Sequence, residues 1–146
     1  MPRTIYFSGS ISGGREDRAI YRRIVKALED AGHRVFAGAV TSESIDAAGE
    51  PLEALQIFER DLGWIEDVAG AGGVLVAEVS RPSVGVGYEI AAARYRHNMP
   101  VICLYRPAFT SRCSGMIAGD RDIQLIEYTD DLLAGAVEQL LRLLRE

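Results

Sequence analysis

Residues 74–89, VLVAEVSRPSVGVGYE, pass from an apolar run through a glycine-punctuated turn toward a helix. The run 74–79 reads as the uninterrupted β-branched and aliphatic segment that a strand buried on both faces requires, and Arg81 with Pro82 stops it. A strand of that kind belongs in a parallel sheet covered by helices on both sides, which restricts the chain to an α/β architecture. Gly85 and Gly87 let the backbone come close to a ligand. The unpaired amides of a helix opening near Val86 then suit an anion such as a phosphate. On this reading Glu89 falls in the first helical turn, where the dipole favours an ionised carboxylate by about 0.3–1 kcal/mol. A permanently ionised carboxylate beside a ligand loop can act as a nucleophile. The alternative is an ordinary strand-to-helix turn with a glutamate that only meets the dipole.

The rest of the chain repeats this alternation. Thr4–Ser8 reads as a first strand, Gly9 to Gly14 as a flexible turn, and 15–31 as a helix whose buried stripe is Ile20, Ile24, Val25 and Leu28. Gly32 follows as its C-terminal cap. A second strand at 34–37 leads into residues 38–50, a loop without a clear period that is placed to cover a site. Pro51 opens a helix to residue 68, and the central strand and a helix at 86–97 follow. A strand at 100–105, an irregular segment at 106–119, a strand at 123–128 and a helix at 131–145 complete the chain. Right-handed crossovers give a three-layer sandwich, Rossmann- or flavodoxin-like, around a five-stranded parallel sheet of order 2-1-3-4-5. In that order strands 1 and 3 are neighbours whose connections leave in opposite directions. The crevice at their carboxyl ends is the expected ligand site, and both glycine-rich loops open into it.

Size and charge narrow the function. The 146 residues, 48% hydrophobic, fit one globular domain spanning 1–146. A net charge of -5 without a basic cluster argues against nucleic-acid or anionic-membrane partners. No apolar run reaches the roughly 20 residues of a membrane span, and the start runs directly into a strand, so a cytoplasmic protein is expected. Cys103 and Cys113 with His33 and His97 have no metal-ligand spacing, so neither disulfide, metal nor other cofactor is expected.

Asp61 interrupts a helical face, standing three or four residues from Ile57, Phe58, Trp64 and Ile65. A charge there must be hydrogen-bonded, partly protonated or at the wall of a cavity; a structural pairing with Arg60 or Arg15 is the plainer account. With Glu89 it forms a pair of carboxylates in different environments, the requirement for a nucleophile and a proton-donating partner. Tyr6, alternating with Ser8 on the first strand, is either a core tyrosine or the group that orients Glu89. Ser10, Ser12 and Arg15 suit a helix start, and equally a sugar or phosphate. Met116 and Trp64 are most simply core.

The segments YFSGSI at 6–11, GGRED at 13–17, DLGW at 61–64, AEVSRPSVGVGYE at 77–89 and SGMI at 114–117 together resemble the 2'-deoxynucleoside 5'-monophosphate N-glycosidases. These enzymes are related to the nucleoside 2-deoxyribosyltransferases, and the similarity covers nearly the whole chain in the same order. The resemblance implies Glu89 as nucleophile on the anomeric carbon, Tyr6 orienting it, and Asp61 at the leaving base. Gly9, Ser10, Ile11, Arg15, Ser83, Gly85 and Gly87 would surround the sugar and phosphate. A homodimer is implied, with the neighbouring subunit's Ser114 on the phosphate and its Met116 against the base. Two positions depart from the family pattern: Ala39 lies in the loop where a histidine is familiar, and Ser8 stands in place of a cysteine. The expected reaction is hydrolysis of a (2'-deoxy)nucleoside 5'-monophosphate to free base and (deoxy)ribose 5-phosphate. Transfer of deoxyribose between bases, or nucleotide sensing without catalysis, are the alternatives.

Overall fold

The computed structural model describes residues 1–11, 15–41 and 51–146. Strands β1 (Thr4–Ser8), β2 (Arg34–Phe36), β3 (Val74–Glu78), β4 (Val101–Tyr105) and β5 (Ile123–Glu127) form one parallel sheet in the order β2-β1-β3-β4-β5. The expected order therefore forms, and β1 lies beside β3 with Tyr6 opposite Leu75 and Ser8 opposite Ala77.

The pleat divides the strands between two cores. Ile5, Phe7, Val74, Val76, Ile102 and Leu104 face helices α1 (Arg15–Asp30) and α5 (Leu133–Leu143), meeting Tyr21, Ile24, Leu28 and Leu140. Tyr6, Leu75, Ala77, Val101 and Cys103 face α2 (Ala54–Gly70) and α3 (Val84–Ala91), meeting Ile65, Val68, Val86 and Ile90. Every residue of β3 and β4 is buried, as strands covered on both faces must be. Among the described residues no helix is long and apolar enough to cross a membrane.

Several element boundaries differ from expectation for local reasons. Gly32 caps α1 at φ +94°, as its position suggested. The helix expected from Pro51 starts at Ala54 instead, because Gln56 Oε1 accepts from the Glu53 amide at 3.0 Å and completes a cap there. Residues Gly38–Thr41 form a 3₁₀ turn, so the expected loop is ordered at its start; 42–50 lie outside the described residues. The segment after β4 holds a short helix, α4 (Gly115–Ala118), capped by Ser114. The helix after the central strand starts at Val84, two residues early, because Ser83 Oγ accepts from the Val86 amide at 3.3 Å. Gly85 and Gly87 are thus inside the first turn of α3, and Glu89 lies beyond it.

Gly73 joins α2 to β3 where nothing larger fits. A methyl group on it would press on the Thr4 carbonyl and lie 2.8 Å from the Val68 carbonyl oxygen. Gly63, within α2, has no neighbour within 4 Å of such a methyl. We expect Gly73→Ala to cost about 3 kcal/mol in urea unfolding and Gly63→Ala to add about 0.5–1 kcal/mol through helix propensity. Equal effects of the two substitutions would contradict this packing.

Candidate active site

The alternation of β1 puts Tyr6 and Ser8 on the face covered by α2 and α3, two residues apart at the strand's carboxyl end. Glu89 reaches over this end from the second turn of α3. The Tyr6 hydroxyl donates to Glu89 Oε2, and Ser8 Oγ donates to Oε1 at 3.2 Å. Each carboxylate oxygen thus receives one hydroxyl from the same strand.

Burial dominates the electrostatics of this group. Desolvation pushes the Glu89 carboxyl up to about 7, with Asp61 adding to the rise, while the hydroxyls of Tyr6 and Ser8 and the charge of Arg60 oppose it. The expectation of a permanently ionised carboxylate in a first helical turn is therefore corrected: outside that turn, and partly withdrawn from water, Glu89 is pushed up toward neutrality. The Tyr6 hydroxyl is pushed the same way, first by burial and then by Glu89 itself, so it remains a donor at all ordinary pH values.

Asp61 stands at the wall of this site, its Oδ1 accepting from Arg60 Nε at 2.8 Å. This is the local pairing that the sequence allowed, and its side chain remains 15% exposed toward the crevice. Arg60 also stacks over Trp64, 5.1 Å from the ring centroid. A crevice of about 330 Å³ runs from Glu89 and Asp61 past Gly9, Ser10 and Ile11 to Ser83 and Gly85. A smaller recess of about 20 Å³ continues beneath Tyr6, Ser8, Gly38 and Trp64. Gly9 is required here because a Cβ would lie 2.9 Å from the Tyr21 ring, whose hydroxyl accepts from the Ser10 amide. The side chain of Arg15, and Ser12, lie outside the described residues.

Ser114 and Met116 are not brought to this crevice. With Ser83 they line an adjoining groove of about 930 Å³ between α3 and α4, one without Glu89. Met116 is 85% exposed, which corrects the simpler reading of it as a core residue. Trp64 is partly buried, packed against the second core and tilted on Phe36.

A buried polar cluster next to the site was not anticipated. Glu78, within the supposedly apolar run, is 1% exposed and accepts from the Ser80 amide at 2.7 Å, from Ser80 Oγ at 2.9 Å and from the Tyr128 hydroxyl. Ser80 Oγ in turn accepts from the Arg106 amide. Asp17 on α1 takes the Arg106 guanidinium on one oxygen and Arg81 Nε on the other, at 2.8 Å. These bonds tie the 79–83 loop to α1, β4 and the end of β5. Two signals for the cluster were present in the sequence: Glu78 shares a strand face with Val74 and Val76, and Asp17 shares a helix face with Tyr21, Ile24 and Leu28.

An open parallel sheet with a hydroxyl-braced carboxylate at its topological switch point defines a small-ligand enzyme of the doubly wound class. Residues 5–133 match the model of the nucleoside 2-deoxyribosyltransferase family, and the chain belongs to that family. A mouse 5-hydroxymethyl-dUMP N-hydrolase is 39% identical over 90% of this chain and 75% of its own length. The rat protein of the same name is 40% identical over 96% and 83%. Among solved structures, a CMP N-glycosidase from Clostridium botulinum shares the fold at a TM-score of 0.63, with 12% identity over 94% of this chain and 97% of that one.

The raised Glu89 carboxyl links stability to pH. A carboxyl held higher in the folded chain than in the unfolded one favours folding at low pH, and that contribution is lost as pH rises from about 4.5 through about 7. We expect Glu89→Gln to stabilise the chain by about 1–2 kcal/mol at pH 8, allowing for partial exposure of the carboxylate, and by almost nothing at pH 4. A stabilisation that is the same at both pH values would show that the carboxylate is not desolvated.

Proposed function

We propose that this chain hydrolyses the N-glycosidic bond of (2'-deoxy)nucleoside 5'-monophosphates, releasing free base and (deoxy)ribose 5-phosphate through a glycosyl ester on Glu89. The observation that carries this reading is the Glu89 carboxylate held by Tyr6 and Ser8 on the floor of a crevice that also reaches Asp61 and the N-terminus of α3. One Glu89 oxygen attacks the anomeric carbon as the bond to the base breaks, and the bonding pair leaves with the base. Asp61 meets the departing base on the crevice wall, where protonation or hydrogen bonding eases its release. Water then attacks the same carbon and returns the carboxylate. Two displacements of this kind retain configuration.

The phosphate fits the other end of the crevice. The first amides of α3 point there, with Ser83, Gly85 and the Gly9-Ser10-Ile11 loop around them. Gly85 has no positive φ, and a Cβ on it would meet Ser83 Oγ no closer than 4.0 Å. The space beside it suits a group from outside the chain, whereas Gly87 lines the groove between α3 and α4 and not this crevice. The names of the mouse and rat relatives support a nucleoside monophosphate as that group.

A homodimer completes the reading. Val84, Tyr88, Tyr95 and Met116 are 59–93% exposed on and beside α3, an apolar surface that favours burial against a second copy. Ser114 and Met116 do not line their own crevice, and in a dimer they would be available to the site of the partner subunit. Light scattering is expected to give a dimer, and Ser114→Ala to weaken monophosphate binding about tenfold. A monomer, or unchanged affinity, removes these two residues from the site.

The reaction is tested by incubating the protein with each common deoxyribonucleoside and ribonucleoside monophosphate and with unphosphorylated nucleosides, and following free base by chromatography. Release from monophosphates alone is expected, with kcat/KM rising as pH increases through about 7, where Glu89 ionises. Glu89→Gln should lower turnover at least about 10³-fold. Base exchange between unphosphorylated nucleosides indicates a transferase instead, and binding without release indicates a sensor.

A further inference from the structure

We infer that Ser8 is a positioning residue for the Glu89 carboxylate, fixing its plane for attack and assisting its return from the glycosyl ester. This rests on hydrolysis at Glu89 as proposed above. Ser8 is a polar side chain only 1% exposed, on a sheet face built otherwise from Tyr6, Leu75, Ala77, Val101 and Cys103. Its neighbour in register, Ala77, offers it no side-chain partner, and Glu89 Oε1 at 3.2 Å does. The hydroxyl is therefore spent on the carboxylate and not on the sheet.

The terminal torsion of a glutamate is broad and roughly two-fold, so one anchor leaves the carboxylate free to swing. Tyr6 anchors Oε2 alone. A second donor on Oε1, rising from the same strand two residues on, holds both oxygens and so sets the plane from which one lone pair addresses the sugar. Of the other groups facing Glu89, Asp61 on α2 repels the ionised form and Arg60 on α2 favours it, but Arg60 is bonded to Asp61 and not to Glu89. Among the described residues, Tyr6 and Ser8 are the two side chains that donate to this carboxylate.

The second half of the reaction shows what this contributes. Water attacks the anomeric carbon, the bond from that carbon to the Glu89 oxygen breaks, and the bonding pair returns to the carboxylate while the proton of water passes to solvent. Charge therefore reappears on Glu89 in a desolvated place. Hydroxyls already aimed at both oxygens receive it without reorganisation.

The test uses Ser8→Ala and Ser8→Cys in the full chain. Three quantities are read: the titration midpoint of the Glu89 carboxyl by ¹³C NMR, assigned against Glu89→Gln; kcat and KM across pH on a deoxynucleoside monophosphate; and thermal stability. For Ser8→Ala we expect the midpoint and the acid limb of the rate profile to rise by about half to one pH unit. We also expect kcat to fall about tenfold with KM within about twofold. Ser8→Cys should fall between the two, because a thiol is a weak donor. An active wild type whose Glu89 midpoint is unmoved by Ser8→Ala overturns the assignment of Ser8 alone, as does a loss confined to KM or to melting temperature. A wild type inert toward every monophosphate overturns the reaction, and with it the ester-release role, while the midpoint still reports the contact.

Discussion

A carboxylate taken out of water has to be met by donors, and in this chain both come from one strand end. Tyr6 and Ser8 reach the two oxygens of Glu89 because β1 is pleated, because β1 pairs with β3 in a fixed register, and because Ser83 starts α3 early enough to bring Glu89 back over the sheet. A slip of one residue in β1 would turn both hydroxyls to the α1 face and leave Ile5 and Phe7 beneath the carboxylate. The placement of both hydroxyls on Glu89 is thus a property of strand register. Burial gives Glu89 a midpoint near neutrality, and the two hydroxyls keep it from rising further.

The second structural requirement is that the loops around the crevice hold still. The 79–83 loop is tied through Ser80 to Glu78 and to the backbone of Arg106, and through Arg81 to Asp17 at the start of α1. The loop after β1 rests on the Tyr21 ring of the same helix. Helix α1 therefore supports both loops that border the crevice. Buried charges that share several hydrogen bonds are costly to break singly, which makes this cluster a rigid mount rather than a source of net stability.

The sheet order and both cores were legible in the sequence, because periodicity at positions such as Ile24, Leu28, Val74 and Val76 reports burial directly. Glu89, Tyr6 and Asp61 were legible as candidates from their places on turn, strand and helix, each beside a plainer structural account, and the resemblance then implied a role for each. Helix starts were less legible: caps at Ser83 and Glu53 depend on local side-chain-to-backbone hydrogen bonds, and the glycines at 85 and 87 looked like a turn. The Glu78 cluster was only half legible: the apolar faces that Glu78 and Asp17 share could have marked both as buried, but a single acid in an apolar strand does not name the partners that arrive from Tyr128, Ser80 and Arg106. Met116 looked like core because hydrophobicity does not distinguish a residue buried in its own chain from one left exposed on its surface.

The central claim, that Glu89 forms a bond to the sugar, is tested most directly by mass spectrometry of acid-quenched protein during turnover of a deoxynucleoside monophosphate. The account predicts a sugar phosphate adduct on the peptide that carries Glu89, absent from Glu89→Gln, with retained configuration at the anomeric carbon of the released sugar. Turnover with inverted configuration and no adduct on that peptide would contradict it.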